Sequence, residues 1–495
     1  AGPPQRIPVA DREALRQIDR QIRSYHRGNV KVWGMDFMAH GPQTKKQPCF
    51  GCMGHCLRVR YHADNGTAGK HMCQSRYFYL KHAWDHYGEE TDVVFLANRL
   101  CDEYGLDTWE VQSLIEWLLL CRDGGELTAA ESGLPLGEVG SLEFIEGLVR
   151  MVSAREGFGD LLAEGAQAAA RRRGGPVATS YSRSNPYEPR YCTVNTLLYP
   201  FETREPIQQV HEAGLVLSQW SSWAKGIPEA HIDSAVMQGI ARRFWGSAEA
   251  ADQTTLAGKA EAARRIQERQ LAKESAGFCD WMFPLVDIPA GTDHVGDPTL
   301  ESRILHAVLG QPFDETDFYR VGERAFNLQR AILLREGHRA RADDMLQADW
   351  HEQGIDTHVA DPDLLVPDGE GRVVSQLGRK IDRPSYLRLR DEYYTLRGWD
   401  VPTGLPGRRE LVALGMEDIA RDLMARGLAV ERARPTPLLT RAQHELHAAG
   451  AALVDRAKSL LELVTARIPG LGSRSHGPSV RGEALLEILI RQQSK

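Results

Sequence analysis

TDVVFLANRLCDEYGLDTWEVQSLIEWLLLCRDGG, residues 91–125, carries its apolar side chains at helical spacing rather than in strict alternation. Gly105 and Gly124 stand where a left-handed C-cap would end each of two helices. Between them, Asp107-Thr108-Trp109-Glu110 spells a capping box, with Asp107 at N-cap and Glu110 at N3. The same spacing returns in FGDLLAEGAQAAARRRGG from Phe158 and AGKAEAARRIQERQLAKESAG from Ala257, with Gly174 and Gly277 as further C-caps. Strand chemistry is confined to CLRVRYHADNGTAG, residues 56–69, where Cys56 to His62 partly alternates and Asp64-Asn65-Gly66 supplies a turn. The expected fold class is α: a multi-helical chain.

The surrounding composition excludes several function classes. At 495 residues, with 42% hydrophobic and 26% charged side chains, the chain has ordinary globular usage and room for a sizeable core. No run approaches the roughly 18 apolar residues of a membrane span. A net charge of −7 gives no global positive field for nucleic acid. Eight cysteines in this length are too sparse for a disulfide-stapled secreted scaffold. The opening AGPPQRIPVADREALRQ shows no export signal, so a cytoplasmic location is expected, and the lack of an initiator Met suggests a processed or truncated product. Four stretches are expected: a lead segment 1–46, helical domains 47–183 and 184–430, and a tail 431–495. The tail holds ten Lys/Arg against six Asp/Glu and an apolar-periodic stretch behind Pro435 and Pro437, which reads as a linker and a helical appendage.

Two patterns carry chemistry. PCFGCMGHC places Cys49, Cys52 and Cys56 at C-x2-C-x3-C spacing, with Gly51 and Gly54 allowing the backbone to wrap closely. Three thiolates so spaced suit an iron–sulfur cube, with Cys279 in AGFCDW as the candidate fourth ligand. A structural zinc site using His55 and a thioredoxin-like C-x-x-C are the competing readings. The second pattern is a repeated helix-to-loop signature, Asp102-Glu103-Tyr104-Gly105-Leu106-Asp107 and Glu274-Ser275-Ala276-Gly277-Phe278-Cys279. Each copy puts a carboxylate in the last helical turn, where the macrodipole disfavours negative charge. Each then places a functional side chain two residues past a glycine.

These residues resemble the tungsten-containing aldehyde ferredoxin oxidoreductase family, which includes the catalytic subunit of the tungsten-dependent benzoyl-CoA reductases. NRLCDEYGLDT from Asn98, GFGDLLAEG from Gly157, YEPR from Tyr187, GERAFNLQR from Gly322 and RDEYYTLRGWD from Arg390 follow in family order, from about Arg23 to about Ala429. The resemblance implies two packed helical domains of the family's type. It implies a 4Fe-4S cluster on Cys49, Cys52, Cys56 and Cys279. It also implies a tungsten or molybdenum bis-pterin gripped by Asp102 and Asp107 on one loop and Glu274 and Cys279 on the other, with Arg335 in REGHRARADD beside it. The implied activity is an oxidoreductase moving electrons between a carbonyl or acyl-CoA type substrate and ferredoxin or an iron–sulfur partner subunit.

The departures bear on that activity. The family's β-rich first domain is not in this sequence, and a separate chain supplying it is an expected partner. Where aldehyde-oxidising members show Gly-Pro-Glu-Tyr-Glu, this chain reads Gly69-Lys70-His71-Met72-Cys73-Gln74, without a carboxylate; the Met72-Cys73 pair is more like the benzoyl-CoA reductase branch. Where they show Asn-Arg-Gly-x-Cys-His, this chain has Arg204 in place, Gln208 at the His position, and His211 only with a shift. His211, Glu212 and Arg204 are the candidate catalytic residues for proton transfer and charge stabilisation. Glu336 and Arg341 flank the REGHRARADD candidate, and His26 and His40 precede the cysteines. A non-catalytic iron–sulfur electron-transfer or assembly module is the alternative.

Overall fold

The computed structural model describes residue 13 and residues 44–47, 58–89, 91–175, 188–201, 211–228, 230–279, 285–289, 293–358 and 361–435. The chain divides into two compact units, 1–434 and 435–495. The stretch of the tail expected to be helical, like Cys49, Cys52, Cys56, His26, His40 and Arg204, lies outside the described residues.

From residue 44 the described part of the first unit forms a small antiparallel sheet, β1 (Thr44–Lys46), β2 (Arg58–His62) and β3 (Ala68–Met72), paired in that order. The predicted turn closes β2 onto β3: Gly66 N–H donates to Ala63 O at 2.9 Å and Thr67 N–H to the Asn65 side chain at 2.9 Å. Tyr61 faces Gly69 across the pair and stacks on Phe95, ring centroids 4.8 Å apart, which ties the sheet to the helices behind it.

Those helices are α1 (Cys73–Tyr87), α2 (Val93–Tyr104), α3 (Thr108–Asp123), α4 (Leu142–Ala154) and α5 (Ala166–Arg173). Their apolar stripes close on one core that includes Phe78, Val94, Leu114, Trp117, Phe144 and Leu148. Gly105 and Gly277 adopt the expected positive φ, at 69° and 74°. Gly124 corrects the expectation: it stays helical at φ −78°, and the left-handed turn falls on Gly125 at φ 72°. Gly174 has φ 70° but an extended ψ of −172°, so it too is not a left-handed cap. The stretch from Phe158 is likewise two pieces, a single turn Gly159–Leu162 and α5, broken at Gly165 (φ 88°, ψ 156°).

A second core draws on α6 (His211–Ala224), α7 (Ser234–Phe244), α8 (Lys259–Ser275), α10 (Glu315–Arg335) and α11 (Arg383–Arg397), and includes Leu217, Trp220, Ile240, Phe244, Ile266, Tyr393 and Trp399, while α9 (Leu300–Leu309) packs Leu300 in a small separate cluster with Leu285. A β-ribbon, β4 (Leu365–Pro367) with β5 (Val373–Ser375), and two short helices, α12 (Arg408–Ala413) and α13 (Glu417–Ala425), also belong to the unit. The chain is predominantly helical, as its pattern of apolar residues predicts.

At the centre of this second set, α8 packs against α10 so closely that a Cβ on Gly322 would sit 1.7 Å from Glu268 O. Only a residue without a side chain permits that approach. Although α8 is rich in charge, Gln267, Glu268, Arg269, Gln270 and Lys273 are all buried. Buried charges must be paired, and here they are: Glu268 meets Arg264 at 3.0 Å and Arg397 at 2.8 Å.

The end of the unit is held by a buried carboxylate. Asp400 accepts hydrogen bonds from the Arg434 backbone N–H and guanidinium and from Thr403 Oγ1, at 2.7 to 3.0 Å. The Arg434 bonds hold the Asp400 carboxyl at about 2, well below the usual carboxylate range. A carboxyl whose folded value is depressed stabilises the fold fully above its unfolded value, and that stabilisation is lost as the pH falls through the folded one. The urea midpoint of the chain is therefore expected to fall between about pH 4 and pH 2. Asp400→Asn is expected to flatten this part of the profile, and an unchanged profile would contradict the assignment.

Candidate functional site

The two sequence copies fold into the same local structure. In the first, Gly105 N–H donates to Asp102 O at 3.3 Å and Leu106 N–H to Cys101 O at 2.8 Å. In the second, Gly277 N–H donates to Glu274 O at 3.1 Å and Phe278 N–H to Lys273 O at 2.8 Å. The pattern follows from a left-handed glycine just past each helix, which folds the next two residues back onto orphan carbonyls of the last turn. In both loops the residue after glycine packs inward. Leu106 lies against the first core, and the Phe278 ring meets Phe318 of α10 at 6.4 Å. The candidate positions point the other way: Asp102, Asp107, Glu274 and Cys279 are all exposed.

Asp102 accepts a 3.3 Å bond from Asn98 Nδ2, and Glu274 a 3.2 Å bond from Gln270 Nε2, again one helical turn back in each copy. Asp107 caps α3 as predicted, accepting from Trp109 N–H at 2.9 Å and Glu110 N–H at 3.0 Å. The reciprocal half of the predicted capping box is replaced: Glu110 Oε1 accepts the Ala166 backbone N–H at 2.8 Å, at the start of α5. Asn caps as well as Asp, so Asp107→Ala is expected to cost about 1 kcal/mol and Asp107→Asn almost nothing. Urea midpoints of the two variants check this; equal losses would contradict the capping geometry.

The cysteines separate into two kinds. Cys101, Cys121 and Cys192 are buried, and burial pushes their thiols up to about 12, 11 and 12. They are inert side chains of the core. Cys279 is exposed on the second loop. Cys73 opens α1 directly after β3. Among the described residues no group of three or more His, Cys, Asp or Glu side chains is placed to hold a metal ion, and the C-x2-C-x3-C motif lies outside them.

The remaining candidates are spread out. His211 opens α6. Its neighbour Glu212 is buried, with Oε1 accepting from Lys273 Nζ at 2.5 Å and from the Arg269 guanidinium at 2.5 Å. The structure thus brings Glu212 to the end of α8, next to the second loop. Arg335 is half-exposed and lies 3.6 Å from Asp422 of α13. Arg341 binds Asp391 and, at 2.7 Å, Val401 O. The centre of REGHRARADD is a residue the sequence reading passed over, Asp344. Fully buried, it accepts two bonds from Arg330 at 2.6 and 2.7 Å and one from His338 Nε2 at 2.8 Å, and Tyr394 Oη binds it as well. Burial pushes the Asp344 carboxyl up, but His338 and Arg330 outweigh it and hold the group below its ordinary value.

A multi-helical chain with two matched, outward-facing loops and a surface cysteine is a helical scaffold. The comparisons with known proteins agree with it. Residues 24–416 match the family described as aldehyde ferredoxin oxidoreductase, domains 2 and 3, and the chain belongs to that family. It is 24% identical over 383 residues to a tungsten-containing aldehyde ferredoxin oxidoreductase of Pyrococcus abyssi, covering 76% of this chain and 53% of that protein. It is 24% identical over 330 residues to the Pyrococcus furiosus protein of the same name, covering 66% and 45%. The chain therefore spans about half the length of these relatives. Among solved structures, the active-site complex BamBC of benzoyl coenzyme A reductase, determined with 1,5-dienoyl-CoA, shares the fold at a TM-score of 0.54 and 16% identity, covering 85% of this chain and 67% of that one. Among the described residues no helix is long and apolar enough to cross a membrane.

Proposed function

We propose that this chain is the helical part of an oxidoreductase that acts on a carbonyl or acyl-CoA type substrate, with a 4Fe-4S cluster and one side of a tungsten or molybdenum bis-pterin held on its surface. The observation that carries this reading is the pair of loops with the same backbone hydrogen bonds and the same exposed positions. A two-part cofactor with pseudo-equivalent halves needs two equivalent grips. The residues fit the groups. Asp102, Asp107 and Glu274 offer carboxylate acceptors to pterin N–H groups. Cys279 is the exposed thiol in a set whose other described members with known burial are sealed in the core.

When bound, the pterin metal supplies two-electron chemistry and the cluster passes single electrons to ferredoxin or a partner subunit. The chain's own share is to hold and orient. Cys49, Cys52, Cys56 and Cys279 would ligate iron, and Arg335 would lie beside the pterin. His211 with Arg204 would move a proton and balance charge at the substrate. Glu212, engaged by Lys273 and Arg269, would tie the helix of His211 to the second loop. The coverage of only half of the relatives' length favours a second reading, an iron–sulfur module that turns over nothing alone. Co-expression with a polypeptide carrying a β-rich domain of the family separates the two. Tungsten uptake and dye reduction gained only in the mixture support a divided enzyme, and a mixture that binds iron but gains neither would contradict it.

A further inference from the structure

Four ions meet in the interior where α6, α8 and α9 come together. Glu212, Arg269, Lys273 and Glu301 are each buried to about 99% or more. Arg269 bridges both carboxylates, to Glu212 at 2.5 Å and to Glu301, and Lys273 Nζ shares Glu212 Oε1 at 2.5 Å. Two basic groups face two carboxyl groups, a formally neutral set, and burial pushes the Glu301 carboxyl up against the opposing pull of Arg269 and Lys273. The groups packed around it are the Phe244 ring of α7, under the Arg269 guanidinium at 5.1 Å, and Glu315 and Tyr319 of α10, whose fields reach Arg269.

Lys273 has two attachments that lead in different directions. Its ammonium goes to Glu212, the residue after His211. Its backbone carbonyl accepts the Phe278 N–H at 2.8 Å, the bond that closes the loop ending in Cys279. A single residue therefore joins the start of α6 to the position of Cys279. A buried unit charge also acts over a longer range than a surface one, because little water screens it.

We propose that Glu212 and Lys273 are a positioning pair whose mutual neutralisation holds the reduction potential of the iron–sulfur cluster ligated through Cys279, so that losing either member shifts it. This rests on the reading of Cys279 as a cluster ligand. Reduction adds one electron to the cluster, so nearby positive charge favours it and negative charge opposes it; net charge is among the terms that set such potentials. In the intact knot the two contributions cancel. Removing one member leaves the other's charge uncompensated beside the loop.

The test is a potentiometric titration of the reconstituted 495-residue chain with dithionite, followed by electron paramagnetic resonance at a fixed pH of 8. Glu212→Gln and, independently, Glu301→Gln are expected to raise the midpoint potential. Lys273→Met is expected to lower it. The double variant Glu212→Gln/Lys273→Met, neutral again, is expected to return towards the wild type. A purely structural knot predicts shifts of one sign or none, with the double variant furthest from wild type, and that result overturns the proposal. Should Lys273→Met fail to fold, the two Gln variants and the double variant still decide the sign. A wild-type chain that takes up no iron would overturn the cluster reading itself, and the inference with it. A wild-type cluster with unshifted variants would overturn the inference alone.

Discussion

Asp344→Ala is expected to destabilise the first unit by about 3–5 kcal/mol, the range for removing one partner from a buried ion pair. The substitution leaves Arg330, 3% exposed, without the carboxylate that accepts both of its terminal nitrogens. It also strips the acceptor from His338 and Tyr394. Among the described residues the Arg330 guanidinium then keeps Gly404 O at 2.9 Å and the face of Trp399, 4.3 Å away. An Arg330→Met/Asp344→Leu double variant, which removes both charges, is expected to recover much of the loss. Urea unfolding of the three proteins checks this. A single variant within about 1 kcal/mol of wild type would show that the network contributes little.

The other large effect is chemical. Cys279→Ser is expected to abolish most of the brown absorbance of the reconstituted chain, because one corner of the cluster loses its thiolate. Cys192→Ala is expected to keep it, since that thiol is buried and pushed up to about 12. The pair separates ligation from general damage to the fold. Equal iron retention in both variants would remove Cys279 from the ligand set, and equal loss would point to unfolding.

The helices were legible because each stop signal is local. Gly105 follows its apolar stripe directly, and Asp107 caps the next helix through bonds two and three residues away. Gly124 was misread for the same reason. With Gly125 next to it, either glycine can take the left-handed turn, and which one does so depends on how the chain leaves α3 for Leu127 in the core. The repeated loops were legible as a repeat, since spacing and residue type recur together.

What the sequence did not show is pairing across long separations. Glu212 stands 57 residues from Arg269 and 61 from Lys273, and nothing local marks them as partners. The composition of α8 reads as a solvated surface, yet most of its length is buried. Its buried Arg269, Lys273 and Glu268 are met by Glu212, Glu301 and Arg397 arriving from three other helices. Asp344 was hidden in a charged run for the same reason: its place at the centre depends on Arg330 and Tyr394, each on another helix.

The central claim is that this helical scaffold carries a cluster and grips a pterin metal. Elemental analysis of anaerobically purified chain for iron, tungsten, molybdenum and zinc, with an electron paramagnetic resonance spectrum after reduction, tests it most directly. The account predicts about four iron atoms per chain, a reduced-cluster signal, and tungsten or molybdenum either in the chain itself or on addition of its β-rich partner. Zinc without iron would contradict it.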